Sequence, residues 1–183
     1  MNKETWKETE KMEDTQEPMK NVAVLLTKYT DFMSRFVCML TRGIYSHASI
    51  SIDEKEEEFY SFNFKGFVRE YPKSKVSRKR EKRSVILRFQ IPESSYQIIE
   101  SEISYFQRNR KYFHYSRIGV IFCLLHIPHK FCNRYFCSQF IAEVLERASM
   151  VELQRKESLY FPSQLFEIIR KSSLVKSIEY NVL

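Results

Sequence analysis

The chain has 183 residues, 43% hydrophobic and 15% aromatic, with a formal charge of +7. That make-up suits one globular domain and excludes a disordered or linker-rich chain. No apolar run approaches the roughly 18 residues a bilayer-spanning helix needs, and the polar opening MNKETWKETEKMEDTQEPMK lacks the apolar stretch of a secretory signal. A cytoplasmic protein is expected, with its four cysteines reduced rather than paired.

Residues 1–19 read as a polar tail ending near Pro18, and 20–183 as a single domain. NVAVLLTK, from Asn21 to Lys28, reads as a short buried strand. Thr30 and Asp31 offer an N-cap for a helix with Phe32, Phe36, Met39 and Leu40 on its apolar face, and Gly43 would close it. YSHASISID then alternates: Ala48, Ile50 and Ile52 face one way, and His47, Ser49, Ser51 and Asp53 the other. After the charged turn EKEEE, EFYSFNFKGFVRE reads as one long or two short strands broken at Gly66, forming an antiparallel hairpin with the His47 strand.

The segment KSKVSRKREKR, from Lys73 to Arg83, concentrates much of the positive charge. It is read as a solvated basic loop between strands. Nucleic-acid binders spread basic residues along a face among exposed aromatics, so nucleic acid is not an expected partner. SVILRFQI (Ser84 to Ile91) is a further strand, and Pro92 opens a helix with Tyr96, Ile99, Ile103 and Phe106 on one face. SRIGVIFCLLHI is apolar throughout and fits helix or strand, with Pro128 ending it. CSQFIAEVLERA is a helix with the stripe Phe140, Ile141, Val144 and Leu145; Ser163 is placed to cap FEIIRKSS, and VKSIEYNV is a last strand. The order predicts an α+β fold, a mainly antiparallel sheet with helices packed on it.

Cys137 stands at the first turn of its predicted helix, where unpaired N–H groups and the helix dipole favour a thiolate. The plain alternative is a buried thiol between Phe136 and Phe140, and Cys38 and Cys123 are read as core thiols of that kind. A nucleophilic cysteine needs a base, and the base needs a third group to hold its tautomer. His47 opens a strand whose same-face neighbours are serines. On the following strands Ser61, Asn63 and Glu70 are candidates for the third role. His126, His129, Cys132 and Cys137 offer a competing spacing for a tetrahedral zinc site.

YSHASISID, FYSFNFKGFVRE and, much later, RYFCSQFIAEVLE resemble the circularly permuted branch of the papain-like cysteine hydrolases, which includes NlpC-type, YiiX-like and lecithin retinol acyltransferase-like proteins. The likeness runs from about Val22 to Phe166, with the histidine strand ahead of the cysteine helix, as in that branch. The resemblance implies a permuted papain-like fold and a hydrolase or acyltransferase acting on an amide or ester bond of a peptide or lipid-like substrate, with no cofactor. Cys137 would be the nucleophile, His47 the base, and N–H groups at the cysteine helix start part of an oxyanion hole. The third polar residue of the family would be Asn63, Ser61 or Glu70, with Asn63 the best chemical fit. The alternatives are a catalytically decayed binding module on the same fold, or a zinc-stabilised interaction protein.

Overall fold

The computed structural model describes residues 17–29, 43–72 and 81–183. The expected helix from Phe32, Cys38 within it, the tail up to residue 16 and the basic stretch 73–80 lie outside the described residues. In chain order the elements are β1 (Met19–Tyr29), β2 (His47–Ser51), β3 (Phe59–Asn63), β4 (Gly66–Glu70), β5 (Glu81–Pro92), α1 (Glu93–Arg108), β6 (His114–Tyr115), α2 (Arg117–Leu124), β7 (Arg134–Tyr135), α3 (Cys137–Arg147), α4 (Pro162–Ile169) and β8 (Val175–Tyr180). Six strands form one sheet in the order β4-β3-β2-β1-β5-β8, every neighbouring pair antiparallel. The α+β class expected from the element order is the class of the structure. Among the described residues no helix is long and apolar enough to cross a membrane.

Period-two alternation gives the sheet two different faces. Val24 and Leu26 of β1 lie opposite Ile50 and Ala48 of β2, and all four join Phe62 and Leu87 in the main core beneath the helices. That core receives Ile99, Ile103 and Phe106 of α1, Phe140, Ile141, Val144 and Leu145 of α3, and Leu165 and Ile169 of α4. The other face carries Ala23, Leu25, Phe59 and Ile86, over which Val182 and Leu183 pack. β2 is therefore buried at all five residues, which explains why its non-core positions are a histidine and small serines.

Some local expectations are corrected, and two left open are settled. Met19 belongs to β1, so the strand starts within the expected tail. The hairpin after the charged turn resolves into two strands around Phe64 and Lys65, with Gly66 at φ +89°. Within the ambiguous run at 116–127, Arg117–Leu124 is a helix, capped by Ser116, which accepts a hydrogen bond from the Gly119 N–H at 3.0 Å. The helix assigned to a Ser163 cap begins earlier, with Pro162 at its first position and the Gln164 side chain accepting from the Phe161 N–H. Ser163 instead accepts from the Tyr45 N–H at 2.8 Å.

The Gly66 turn fits closely against the chain that leads into β6. A Cβ there would stand 2.5 Å from the Phe113 carbonyl oxygen, and the residue already sits in a left-handed conformation. Gly66→Ala is expected to cost about 1–3 kcal/mol. Urea unfolding with an unchanged midpoint would show that the turn tolerates a side chain.

Candidate active site

The lead into β2 is fixed at two points. The Ser46 N–H donates to the Thr27 carbonyl at 2.9 Å, and the Tyr45 N–H donates to Ser163 Oγ of α4. His47 follows, only 6% exposed. Its Nε2 lies 2.9 Å from Oε2 of Glu70, the last residue of β4. The Glu70 side chain is itself 16% exposed, so the pair is largely shielded from water, where a charge-assisted hydrogen bond is stronger than at the surface.

Of the three candidates for the third role, the structure puts Glu70 on His47. Asn63 stands behind the pair, its Nδ2 donating to Glu70 Oε1 at 3.5 Å while its Oδ1 accepts from the Lys65 N–H at 2.9 Å. Ser61 is fully buried and turned away, donating to the Ala48 carbonyl at 2.6 Å. Asn63, expected as the best chemical fit, is thus placed on Glu70 and Glu70 on the imidazole. The longer glutamate reaches the imidazole, and the shorter amide steadies the glutamate. The contact fixes the orientation of the imidazole ring through Nε2.

Cys137 is the first residue of α3 and 5% exposed. The residue before it, Phe136, is extended and supplies no side-chain cap. This contrasts with α2 and α4, whose first turns use Ser116 and Gln164. The N–H groups of the first α3 turn have no carbonyl within the helix to bond, and no side chain at the N-cap takes that place. Beside the thiol, Ser138 Oγ is fully buried with no hydrogen-bond partner. α1 likewise has no side-chain cap, and since buried polar groups are nearly always paired, it is the unpartnered Ser138 hydroxyl that marks the α3 start.

The thiol and the imidazole are carried by elements in contact. The body of α3 packs on β2, through the face that meets Ala48 and Ile50. His47 is of opposite parity, in register with Thr27, which shares its face. Next to this helix start lies Cys123 of α2, in a cluster with Val120, Phe136 and Phe161. Burial pushes the Cys123 thiol up to about 12, with Arg155 opposing and Cys137 adding to the shift. It is an inert thiol, as the sequence indicates.

The zinc alternative is not assembled. His126, His129 and Cys132 are exposed while Cys137 is buried, and the His129 ring packs edge-on against Phe131 at 4.4 Å. Among the described residues no group of three or more His, Cys, Asp or Glu side chains is placed to hold a metal ion. Sequence reasoning missed Ser138, and it missed Glu143, a buried acid of α3 held by Lys130 Nζ on both oxygens at 2.7 Å and by Arg147 at 2.7 Å. The i,i+4 spacing of Glu143 and Arg147 was the available signal.

Glu70→Ala removes the hydrogen bond to His47 and the acceptor of Asn63 Nδ2 in a mostly buried setting. The expected cost is about 1–3 kcal/mol in urea unfolding, with Glu70→Gln milder. A Glu70→Ala stability equal to wild type would show that the pair contributes nothing to the fold.

No protein-family model matches the chain, and no curated protein matches its sequence.

Proposed function

We propose that the protein is a cysteine hydrolase or acyltransferase acting on an amide or ester bond through an acyl-enzyme on Cys137. The observation that carries this is the buried hydrogen bond between His47, on the strand whose other face the Cys137 helix covers, and Glu70 of β4. A base with an oriented tautomer is what a thiol nucleophile requires, and the uncapped first turn of α3 is the place where N–H groups stabilise a thiolate and then an oxyanion. The sequence resemblance to permuted papain-like enzymes supports the same roles.

His47 takes the proton of Cys137, and the thiolate sulfur attacks the substrate carbonyl carbon. The tetrahedral oxyanion is met by N–H groups of the first α3 turn. The imidazolium, stabilised by Glu70, returns its proton to the leaving nitrogen or oxygen, and the C–N or C–O bond breaks to leave a thioester. Water or an acceptor hydroxyl or amine then attacks that thioester, giving its proton to His47, and the free thiol is restored. The substrate classes in view are peptide-like and lipid-like amides and esters.

The alternative of a catalytically decayed binding module rests on the low exposure of Cys137. The mark expected of such a module is a His47 with no polar partner in reach, and Glu70 at 2.9 Å does not fit it.

Selective alkylation separates the two. In a Cys132→Ser background, iodoacetamide at pH 8 followed by peptide mapping should modify Cys137 at least about tenfold faster than Cys123, whose thiol is held near 12 by burial. His47→Ala should slow Cys137 alkylation by about tenfold or more. Equal rates at the two cysteines, or a Cys137 rate indifferent to His47, would sink the enzymatic reading.

A further inference from the structure

α2 is apolar around its whole circumference, but only half of it is covered. Gly119, Val120 and Cys123 are buried. On the opposite side Ile118, Ile121 and Leu125 are 53%, 52% and 63% exposed. Their spacing places them on one stripe of the helix. The chain beyond α2 extends this stripe: Ile127 is 42% exposed, and Phe131 folds back to put its ring 5.2 Å from Phe122. At the other end Arg117 lies over the ring of Phe64, itself exposed. Single exposed apolar residues are ordinary, whereas a contiguous patch marks an interaction surface.

The excursion that carries the patch has charge of one sign along the chain, although Glu157 lies on a turn that packs against the helix. From Ile103 to Ala142 the chain contains no Asp or Glu, while Arg108, Arg110, Lys111, Arg117, Lys130 and Arg134 all fall within it. Lys130 is engaged by Glu143. Among the described residues Arg110, Lys111, Arg117 and Arg134 have no carboxylate at ion-pair distance and are exposed. The parallel pairing of β6 with β7, His114 with Arg134 and Tyr115 with Tyr135, clamps the two ends of this excursion together. The cations of both ends thereby collect at the base from which α2 rises.

We propose that the exposed face of α2 and the loop after it dock on a membrane surface bearing anionic phospholipids. Ile118, Ile121, Leu125 and Ile127 enter the headgroup layer, and the surrounding cations pair with lipid phosphates. Aliphatic side chains neither stack on bases nor hydrogen-bond to them, so a row of them favours lipid partition over binding a single strand. The absence of acidic residues throughout the excursion matches a negatively charged surface rather than a mixed-charge protein partner.

Vesicle flotation of the full chain tests this. The protein should float with phosphatidylcholine vesicles containing phosphatidylglycerol and stay behind with phosphatidylcholine alone. Ile121→Asp combined with Leu125→Asp should lower partition at least about tenfold, since each side chain no longer buries its apolar surface in lipid. Both positions are exposed, and an unchanged urea midpoint confirms an intact fold. Arg110→Glu with Lys111→Glu should weaken binding and its dependence on salt.

Failure of the wild type to float would overturn the proposal. So would undiminished flotation of the double Asp variant, which would assign binding to charge elsewhere, such as the Lys73–Arg83 segment. Retention of an oligonucleotide, or a dimer broken by the Asp variant, with no vesicle binding in either case, would overturn it equally.

Discussion

The site depends on a pack of aromatic rings. Phe62 of β3 lies 5.6 Å from Phe106 of α1, 5.4 Å from Phe140 of α3 and 5.2 Å from Tyr135 of β7. Phe106 in turn meets Phe113 at 4.5 Å and Phe140 at 5.2 Å. Ring pairs of this kind contribute roughly 0.5–1.5 kcal/mol each beyond the burial of their area. Their geometric effect matters more here: one cluster joins β3, α1, β7 and α3. Tyr135 and Phe140 bracket Cys137 in sequence, so fixing those two rings fixes the first turn of α3. The position of the thiol is a consequence of core packing rather than of a flexible loop, and β3, which the same cluster anchors, is the strand between His47 and Glu70.

Charge reinforces this placement from outside. Glu143 sits on α3 at 7% exposure, an arrangement that costs desolvation unless cations compensate. Lys130 and Arg147 supply them. Burial opposes the Lys130 charge, but the hydrogen bonds and attraction of Glu143 outweigh it, and the ammonium pKa is raised. Lys130 belongs to the loop between α2 and β7, and it also lies over the Tyr135 ring at 5.4 Å. The loop is therefore tied to α3 by a buried carboxylate and to β7 by an aromatic face.

The sequence was most legible where period and burial coincide. The alternation of YSHASISID places Ala48 and Ile50 in the core and His47 opposite Thr27, as the register shows. The apolar stripe of α3 was equally plain, because every residue of it is core. What could not be read was contact across strands. Ser61, Asn63 and Glu70 share a face by parity, and only side-chain reach and competing backbone acceptors separate them. Ser61 is drawn to the Ala48 carbonyl and Asn63 is divided between Glu70 and Lys65. The parallel β6–β7 pair was invisible for a related reason. Two residues carry no periodic signal, and their pairing exists only because the excursion between them closes on itself.

α2 joins the two surfaces that the chemistry concerns. Its inner side, with Val120 and Cys123, packs on Phe136, the residue immediately before Cys137. Its outer side carries the exposed isoleucines and Leu125. A helix is about 10 Å across, so the aliphatic stripe and the thiol's helix start stand about one helix diameter apart. An acyl chain leaving a bilayer along this helix would travel a short path to the first turn of α3, whereas a substrate arriving from water meets a thiol that is 5% exposed. A buried thiol and an exposed apolar helix are each awkward features in isolation. Placed on the two sides of one short helix, they match what the proposed enzyme would need if its substrate came from an apolar phase.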